Sequence, residues 1–585
     1  MGSSAAPSPG SLPPQLLAIA PQLVTFWSGA GVSADAPTQG LVGEALTHRA
    51  INEAFDPSFP FKERVQKAYE DLRIVDGASV RRTPRLETVL DVAAAEHGID
   101  ALAKLLSDLV SPPPNALHQF FAEHLVLGGH HVTANFDTCI ERSGGPAARL
   151  VHCHGVVGHW RDMGARLSVI ENGFPDTVQT KLRVILSATN ALVVVGYSGL
   201  DYFDVDPFWR ACSRDGVLAG KLLLWLEHEA HGWTVGEDAD KPHPQLSWFA
   251  DGGATVFVVR APTSDVLSEL AETWSLSPLS APPAREACSD VPLDLPADAR
   301  ARATTRLLTV MGLHDSVRER LANRILDAQE SEWAAEAAWT SGQYLQSAEH
   351  WAKAKAEASP DSEAITAERR AAALWLRGEL RRAKRELLAA LAKAESDGTS
   401  PRERLVMAET LGRIIVHMGR LPDTRVLVRR GLRQQAIGYL DSAMADLSAG
   451  VGVQMRARVD SVRAALTGDH ANTPELSVQD FNQSEALLAM LNYRHAQLRE
   501  RAAQGERVDA QEYRQHASDF RAIGAFGDAV RVPLLPGGET AFEPGAVWRG
   551  FGEVDFTTWH RMRLFAGWMA KWAIAKAKSG NGVAP

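Results

Sequence analysis

Four short segments of the chain combine glycine or other small residues with side chains that can do chemistry: GAGVS at 29–33, TANFD at 133–137, HCHG at 152–155 and GYSGLD at 196–201. Gly-Ala-Gly follows an apolar run, so the backbone can pass close to a ligand with its N–H groups aimed at phosphate oxygens. A tight strand-to-helix turn has the same sequence, and this segment alone leaves both interpretations open. Histidine, in the third segment, titrates nearest neutrality and suits general base catalysis.

Apolar runs of strand character precede each of these segments. Further runs of this kind are Lys221–Leu226 and Thr255–Val259, and helical patterns separate the runs along the chain. Apolar strands that alternate with helices predict a Rossmann-like α/β domain, a parallel sheet with helices on both faces. Ligands bind at the carboxyl ends of the strands in such sheets. Because each polar segment follows a strand, we expect the four to meet at one edge. We assign this domain to residues 21–275.

A proline-rich stretch over 276–297 predicts a linker. Beyond it, nearly all of residues 298–585 has a helical pattern, which the Gly- and Pro-rich segment 530–556 interrupts. Gly342, Gly378 and Gly419 each lie between amphipathic stretches and suggest helical hairpins of the tetratricopeptide kind, which stack into solenoids that bind other chains. An irregular helical bundle with glycines placed by chance is the alternative. We therefore predict an all-α C-terminal domain, with a helical repeat as its finer description.

Composition limits the function classes. At 585 residues the chain exceeds what one core usually serves. A net charge of −10 argues against a general nucleic-acid binder, and no apolar run reaches the roughly 20 residues of a membrane span. Residues 1–20 lack the pattern of a secretory signal, and we expect a flexible tail there. The four cysteines form no CxxC pair, which favours a reducing cytoplasm and no metal site.

In order and spacing, the four segments resemble the catalytic domain of the sirtuin family. GAGVS is similar to that family's GAGxS phosphate loop, TANFD to its TQNxD, and His154-Gly155 to its His-Gly motif. Gly196-Tyr197-Ser198 falls where the family has Gly-Thr-Ser, and PNALH at 114–118 matches its Pro-Asn-x-x-His. The resemblance covers residues 21–275.

Two departures from the family pattern bear on the subtype. Residues 155–195 contain no cysteine, whereas the protein deacylases of the family carry a four-cysteine zinc module in this interval. Ala36-Pro37-Thr38-Gln39 replaces an acidic-Phe-Arg loop, so no arginine follows the glycines. These losses fit better the sirtuin-like domains of bacterial antiphage defence proteins, which hydrolyse NAD and are fused to helical or sensor domains.

The resemblance implies a role for each residue of the site. Asn135 would orient a water or the ribose hydroxyls, Asp137 would accept from the nicotinamide carboxamide, and His154 would act as general base. The residues implied in binding the rest of NAD, with the diphosphate held by backbone N–H groups and a hydroxyl, are Gly29, Ala30, Gly31, Ser33, Gly196 and Ser198. Asp201 is a further candidate for the adenosine half.

Structural explanations exist for the same side chains. Asn135 and Asp137 could cap the helix that follows their strand. His154 could be a core histidine, and His152, two residues earlier, competes with it for the catalytic role. Only the glycine after His154 favours the latter.

The sequence thus leads to three hypotheses. The first is an NAD hydrolase that releases nicotinamide and ADP-ribose, a triggered antiphage effector in which NAD is the substrate and the helical domain assembles a homo-oligomer or docks a trigger. The second is an NAD-dependent deacylase or ADP-ribosyl transferase. The third is a non-catalytic sensor that binds NAD or ADP-ribose.

Overall fold

A computed structural model divides the chain into two compact units, Met1–Leu307 and Leu308–Pro585. It describes residues 11–580 apart from 41–42, 72–74, 77–78, 81–82, 111, 162, 171–172, 200, 202–203, 231, 237–243, 281–292, 357–359, 421–429, 447–458, 460–461, 464–465, 468–490, 492–493, 496–497, 499–500, 503–505, 507, 523–524, 526–528, 536–537, 553 and 555–557.

The first unit contains a seven-stranded sheet in the order β5-β4-β1-β6-β7-β9-β8. All neighbouring strands are parallel except β8, which pairs antiparallel with β9 and which we did not predict. A separate two-stranded sheet joins β2 to β3. The strands are β1 (Val24–Ser28), β2 (Val75–Asp76), β3 (Ser79–Val80), β4 (His130–Thr133), β5 (Leu150–His152), β6 (Ala191–Val195), β7 (Leu222–His228), β8 (Thr234–Gly236) and β9 (Thr255–Ala261).

Among the described residues, thirteen helices begin in this unit, and they include the helical patterns expected from the sequence. They are α1 (Pro14–Leu17), α2 (Gly43–Ala54), α3 (Phe61–Asp71), α4 (Leu86–His97), α5 (Asp100–Leu105), α6 (Ala116–Val126), α7 (Cys139–Arg142), α8 (Leu167–Ile170), α9 (Asp176–Ala188), α10 (Val205–Arg214), α11 (Pro244–Asp251), α12 (Thr263–Thr273) and α13 (Ala297–Val310). Short 3₁₀ turns occur at Pro21–Leu23, Ala30–Ser33, Ser107–Leu109 and Ala147–Arg149.

Helices cover both faces of the sheet, as the continuous apolar strands predict. Side chains alternate along each strand, so Phe26 and Trp27 of β1 face opposite sides. Phe26 belongs to a core with α6 and α12. Trp27 belongs to another core with α9, α10 and α11. The prediction of an α/β fold is therefore confirmed.

Residues 11–20 correct our prediction of a flexible tail over 1–20. Leu12 and Leu16 are fully buried and pack in the same core as Phe26. The backbone N–H of Leu12 donates to both carboxylate oxygens of Glu269, at 3.2 and 3.1 Å. The prolines of this stretch suggested a tail, but burial of the apolar residues Leu12 and Leu16 holds it against the domain.

The boundary between the units lies inside α13, later than the domain start predicted at residue 298. The first turns of α13 pack on the α/β unit. Thr304 Oγ1 accepts the backbone N–H of Asp56 at 2.9 Å. Arg302 and Arg306 form ion pairs with Glu96 at 2.9 and 2.7 Å. The middle of the predicted linker, 281–292, lies outside the described residues.

The second unit is helical wherever it is described as regular structure. Its helices are α14 (His314–Leu321), α15 (Ala328–Thr340), α16 (Tyr344–Ala356), α17 (Pro360–Leu376), α18 (Leu380–Ser396) and α19 (Pro401–Arg420), then Arg430–Asp446, Ala510–Ala522, Pro544–Gly552 and Thr558–Gly580, with 3₁₀ turns at Val532–Leu534 and Gly538–Ala541. Consecutive helices from α14 to α19 pack against each other.

Two of the three glycines that suggested a repeat lie in turns. Gly342 follows α15 with a φ of 81°, and Gly378 follows α17 with a φ of 91°, the left-handed region that glycine adopts without strain. Gly419, in contrast, lies inside the last turn of α19 and not between helices. The described residues therefore contain two of the expected hairpin turns, and a regular repeat stays a prediction. No helix among the described residues is long and apolar enough to span a membrane.

Candidate active site

A cavity of about 1030 Å³ lies at the carboxyl edge of the sheet. All six parallel strands contribute to its wall, either with the last residue of the strand or with the loop that follows. The chain runs from β1 outward to β4 and β5, then returns to β6 on the other side of β1, and ligands bind at such reversals of strand order. The wall includes every site residue that the sequence suggested: Gly29, Ala30, Gly31, Ser33, Asn135, Asp137, His154, Gly196 and Ser198.

The glycines after β1 are required because two loops approach closely. The N–H of Gly29 donates to the Val195 carbonyl at 3.1 Å, and that of Gly31 donates to the Gly196 carbonyl at 2.9 Å. A Cβ atom on Gly29 or Gly31 would lie 2.7 or 2.9 Å from the Gly196 oxygen. Both contacts are closer than real Cβ atoms tolerate, so glycine is required to bring the ends of β1 and β6 together.

These hydrogen bonds correct part of the predicted ligand contacts. We expected the N–H groups of Gly29 and Gly31 to hold a diphosphate, but both already donate to carbonyl groups of the protein. Ala30 lies between them and lines the cavity. Of the backbone N–H groups of Gly29, Ala30 and Gly31, that of Ala30 takes no part in these two loop contacts and can donate to a ligand.

Ser33 is the centre of a buried hydrogen-bond network. Its Oγ donates to Asp137 Oδ2 at 3.0 Å and accepts from Asn135 Nδ2 at 3.0 Å. His118 Nε2 lies 3.1 Å from the same oxygen. A hydroxyl has one proton to donate, and Ser33 donates it to Asp137. Ser33 therefore does not donate to a diphosphate in this arrangement, which corrects its predicted role.

The tautomer of His118 follows from its neighbours. The backbone N–H of Asn115 donates to His118 Nδ1 at 3.0 Å, so Nδ1 carries no proton. Burial lowers the pKa of His118, and the nearby Asp137 carboxylate offsets this only in part. The neutral ring therefore has its proton on Nε2 and donates it to Ser33. His118 and Asn115 form the capping box that starts α6, so this helix end fixes the network.

Asn135 and Asp137 differ in what they have left for a ligand. Asp137 Oδ1 accepts the N–H of Cys139, the first residue of α7, at 3.0 Å and Oδ2 accepts from Ser33, so both carboxylate oxygens already have partners within the protein. Asn135 Oδ1 is buried and has no hydrogen-bond partner in the described part of the chain. An unpaired buried carbonyl is unfavourable. A donor group from a ligand in the cavity would satisfy it.

The structure distinguishes between the two histidines of the HCHG segment. His152 Nδ1 lies 3.1 Å from the Asn135 carbonyl oxygen and its Nε2 lies 2.8 Å from Glu141 Oε1. Burial opposes a charge on this ring, but the hydrogen bond and charge of Glu141, with smaller contributions from the Asn135 carbonyl and Asp137, together outweigh burial and raise the pKa of His152. His152 does not line the cavity, whereas His154 does. His154 is therefore the one of the two placed to meet a ligand.

His154 forms a buried ion pair with Asp204. Its Nε2 lies 3.0 Å from Asp204 Oδ2, although the two groups are not aligned as a hydrogen bond. Burial by itself lowers the pKa of His154, but Asp204, with smaller contributions from Asp201 and Glu87, outweighs burial and raises the pKa to about 10. His154 is therefore an imidazolium at neutral pH, which differs from the neutral base that we expected.

Residues from the segment between β1 and β4 complete the wall. Thr83, Pro84, Leu86 and Glu87 line the cavity beside Arg85, the only arginine or lysine among the described lining residues. Sequence reasoning missed Arg85 because no strand end or glycine loop marks it. The same reasoning noted the absence of an arginine after the glycines, and the fold brings one to the cavity from a distant position.

Asp204 and the pair His228 and Thr263 were also missed. His228 is the last residue of β7 and Thr263 is the first of α12, and the His228 Nδ1 to Thr263 Oγ1 distance is 3.1 Å. Both line the cavity. His228 and Thr263 lie at or just after the carboxyl ends of β7 and β9. Applying the strand-end rule to these two strands as well would have identified both residues. The acidic residues after β6 were the available signal for Asp204.

Three groups in this region could in principle bind a cation. One donor atom from each of His118, Asp137 and Cys139 lies within 4.8 Å of the others. His118 and Asp137 are engaged with Ser33, as described above. Burial, together with Asp137, raises the pKa of the Cys139 thiol, so it stays protonated. These residues fit the hydrogen-bond network better than they fit a metal.

No family model matches this chain, and no curated protein shows significant similarity to it.

Proposed function

We propose that the α/β unit is an NAD hydrolase that cleaves the nicotinamide–ribose bond to give nicotinamide and ADP-ribose. The observation that carries this proposal is the convergence of the glycine loop, Asn135 and His154 on one cavity. The volume of about 1030 Å³ is at the upper end of the roughly 300–1,000 Å³ range of small-molecule sites and leaves room for a dinucleotide.

Arg85 and the N–H of Ala30 hold the diphosphate in this proposal. A guanidinium matches the geometry of phosphate oxygens and is the strongest anion-binding side chain. The remaining charged lining residues are mainly acidic and would repel a diphosphate: Asp35, Glu44, Glu87, Asp137 and Asp201. Binding of the diphosphate therefore depends on Arg85.

The acidic residues suit the other half of NAD. Cleavage of the bond to nicotinamide develops positive charge on the ribose, as in other glycosyl transfers. Carboxylates fixed in a partly enclosed cavity stabilise that charge. Asn135 Oδ1, which has no partner among the described residues, accepts from a ribose hydroxyl or from the attacking water.

We further propose that the helical unit assembles the chain as a homo-oligomer or binds a trigger, and that activity in the cytoplasm is restrained until then. An antiphage role follows from the resemblance to sirtuin-like defence proteins. Such an effector would deplete cellular NAD after activation, which explains why restraint would be needed.

Nicotinamide release from NAD by the full-length protein tests the proposal. Asn135→Ala and His154→Ala are compared with His159→Ala, which changes an exposed histidine outside the cavity wall. We expect release by wild type and His159→Ala, and its loss in the other two variants. NAD binding is measured in parallel by titration calorimetry.

Each other outcome supports a different function. Release that requires an acylated peptide supports a deacylase. NAD binding with no release, with or without cell extract as a source of trigger, supports the sensor. No binding of NAD at all contradicts the assignment of the cavity.

A further inference from the structure

Asp204 is held rigidly at the point where it meets His154. It is the residue before α10, and its Oδ1 accepts the N–H of Val205 at 2.7 Å. Only 1% of Asp204 is exposed. The other carboxylate oxygen, Oδ2, lies 3.0 Å from His154 Nε2, an ion-pair distance without hydrogen-bond alignment.

The charged groups that face His154 come from two elements. Asp201 and Asp204 lie in the segment after β6, and Glu87 lies in the first turn of α4. Arg85 stands in the same wall of the cavity. On the ring's other sides are Phe136 and Phe174, with ring centroids 6.4 and 6.1 Å away.

We propose that Asp204 is the positioning residue of His154: it turns Nε2 toward α10 and leaves Nδ1 as the ring nitrogen for the substrate. This inference rests on the proposed function and adds a residue to it. A buried carboxylate that fixes the orientation and tautomer of a histidine base is a recurring arrangement in catalysis.

The same contact sets the charge of the ring. Asp204 keeps His154 protonated at neutral pH, and an imidazolium cannot accept a proton. NAD brings a positively charged nicotinamide ring into the cavity, and repulsion between like charges favours loss of the Nδ1 proton to solvent. Nδ1 then accepts one proton from the attacking water as its oxygen bonds to the ribose carbon and nicotinamide leaves.

The first test measures the charge of His154 without requiring activity. The full-length protein is labelled at histidine ¹³Cε1, and the His154 signal is identified by its loss in His154→Gln. From about pH 6 to about pH 8.5 we expect an imidazolium signal that does not titrate in wild type. In Asp204→Asn we expect a titration midpoint lower by about 1–3 pH units, the usual effect of one opposite charge at this distance.

A neutral His154 in wild type, or a midpoint that Asp204→Asn leaves unchanged, overturns the inference. Asparagine is also a good helix cap, so this variant preserves the start of α10. If circular dichroism shows that Asp204→Asn does not fold, Asp204→Glu replaces it, and an imidazolium signal is then expected to persist. The wild-type spectrum tests the charge state whether or not either variant folds.

The second test is the pH dependence of kcat/KM for nicotinamide release. Asp204→Asn is expected to move the acid limb of the profile to lower pH by about 1–3 units, whereas Asp206→Asn leaves it in place. Asp206 is the matched control because it lies two residues away and is bonded to Gln245, not to His154. An acid limb that moves equally in both variants overturns the inference. Absence of release with the expected ¹³C signals contradicts the proposed function alone.

Discussion

The two units each bury a histidine, with opposite effects on its charge. His154 in the α/β unit and His516 in the helical unit are 7% and 3% exposed. Burial lowers the pKa of both, yet carboxylates around His154 raise its pKa to about 10. Burial beside His495 and Arg494 lowers the pKa of His516 to about 3. The neighbours of a buried histidine therefore decide whether it is charged, and burial alone does not.

Buried polar groups without a partner lie in different surroundings in the two units. In the helical unit, Glu368 Oε1 accepts from Thr410 at 2.5 Å and Asp327 and Glu330 form a capping box at the start of α15, while both ring nitrogens of His516 are buried with no hydrogen-bond partner among the described residues. In the α/β unit, Asn135 Oδ1 likewise has no partner among the described residues, but Asn135 belongs to the wall of the cavity. A ligand in the cavity can therefore satisfy Asn135, whereas His516 is no part of that wall.

The largest expected contrast concerns the two histidines themselves. His154→Gln should reduce nicotinamide release by about 10²–10⁴-fold, the usual contribution of a general base. His516→Gln should leave release unchanged, since His516 is no part of the cavity wall. Rates with saturating NAD and purified full-length variants measure both. An equal loss of nicotinamide release in both variants would contradict the assignment of a catalytic role to His154 and a structural role to His516.

A pair of glycine substitutions tests the packing of each unit. Gly31→Ala places a Cβ 2.9 Å from the Gly196 backbone and should destabilise the α/β unit by about 1–3 kcal/mol while weakening NAD binding. Gly438→Ala lies in the helix Arg430–Asp446, where a Cβ meets nothing within 4 Å, and should stabilise by about 0.5–1 kcal/mol. Scanning calorimetry and NAD titration follow both. A stabilising Gly31→Ala would contradict the close approach of β1 and β6.

Acid should weaken the helical unit through His516. Its pKa is near 6.5 when unfolded and about 3 when folded, so the unfolded chain binds the extra proton first and stability falls as pH drops below 6.5. His516 should account for about 2 kcal/mol of the loss between pH 7 and pH 5, and His516→Gln should remove that part, while His314, whose pKa is lowered to about 4 by burial, keeps its own contribution. Hydrogen exchange of Ala510–Ala522, corrected for intrinsic rates, measures this loss. A variant as acid-sensitive as wild type would refute the assignment.

The opposite sign is expected for His154. Its folded pKa is raised, so its ion pair stabilises fully below about pH 6.5 and the stabilisation disappears as pH rises towards 10.

The smallest contrast compares two capping boxes. Asn115→Ala and Asp327→Ala each remove a helix cap and should cost about 1 kcal/mol. Asn115 Nδ2 also donates to the Val32 carbonyl at 2.8 Å, behind the glycine loop, so only Asn115→Ala should raise the KM for NAD. Thermal unfolding and steady-state kinetics distinguish the two. An equal KM in both variants would show that this bond does not position the loop.

Much of the α/β unit could be predicted because its signals are local. Continuous apolar runs such as β6 are typical of strands covered on both faces, and all five residues of β6 are buried. Asn115, a residue type that favours helix starts, is the N-cap of α6. Predictions failed where a local signal misled, as for Leu12 and Leu16 in a proline-rich stretch, or where a short edge strand such as β8 has little apolar pattern.

Within the site, the sequence was enough to select residues but not their partners. It selected His154 by the glycine that follows it, and His154 lines the cavity whereas His152 does not. It could not show that Asp204, fifty positions later in the chain, faces the ring, because that contact joins the loop after β5 to the residue before α10. Nor could the sequence show that the N–H groups of Gly29 and Gly31 donate to carbonyls at the end of β6 and just after it, and so are not available to a ligand.

By itself, the sequence determined which segments form strands and helices, that polar residues follow the strands, and that glycines stand where β1 ends. These features depend on side-chain type and on spacing along a few residues. Only the tertiary structure decided which donors stay open to a ligand, that Arg85 joins the cavity, and that His154 carries a charge. Those properties arise from desolvation and from contacts between residues far apart in the chain, and neither exists before the chain has folded.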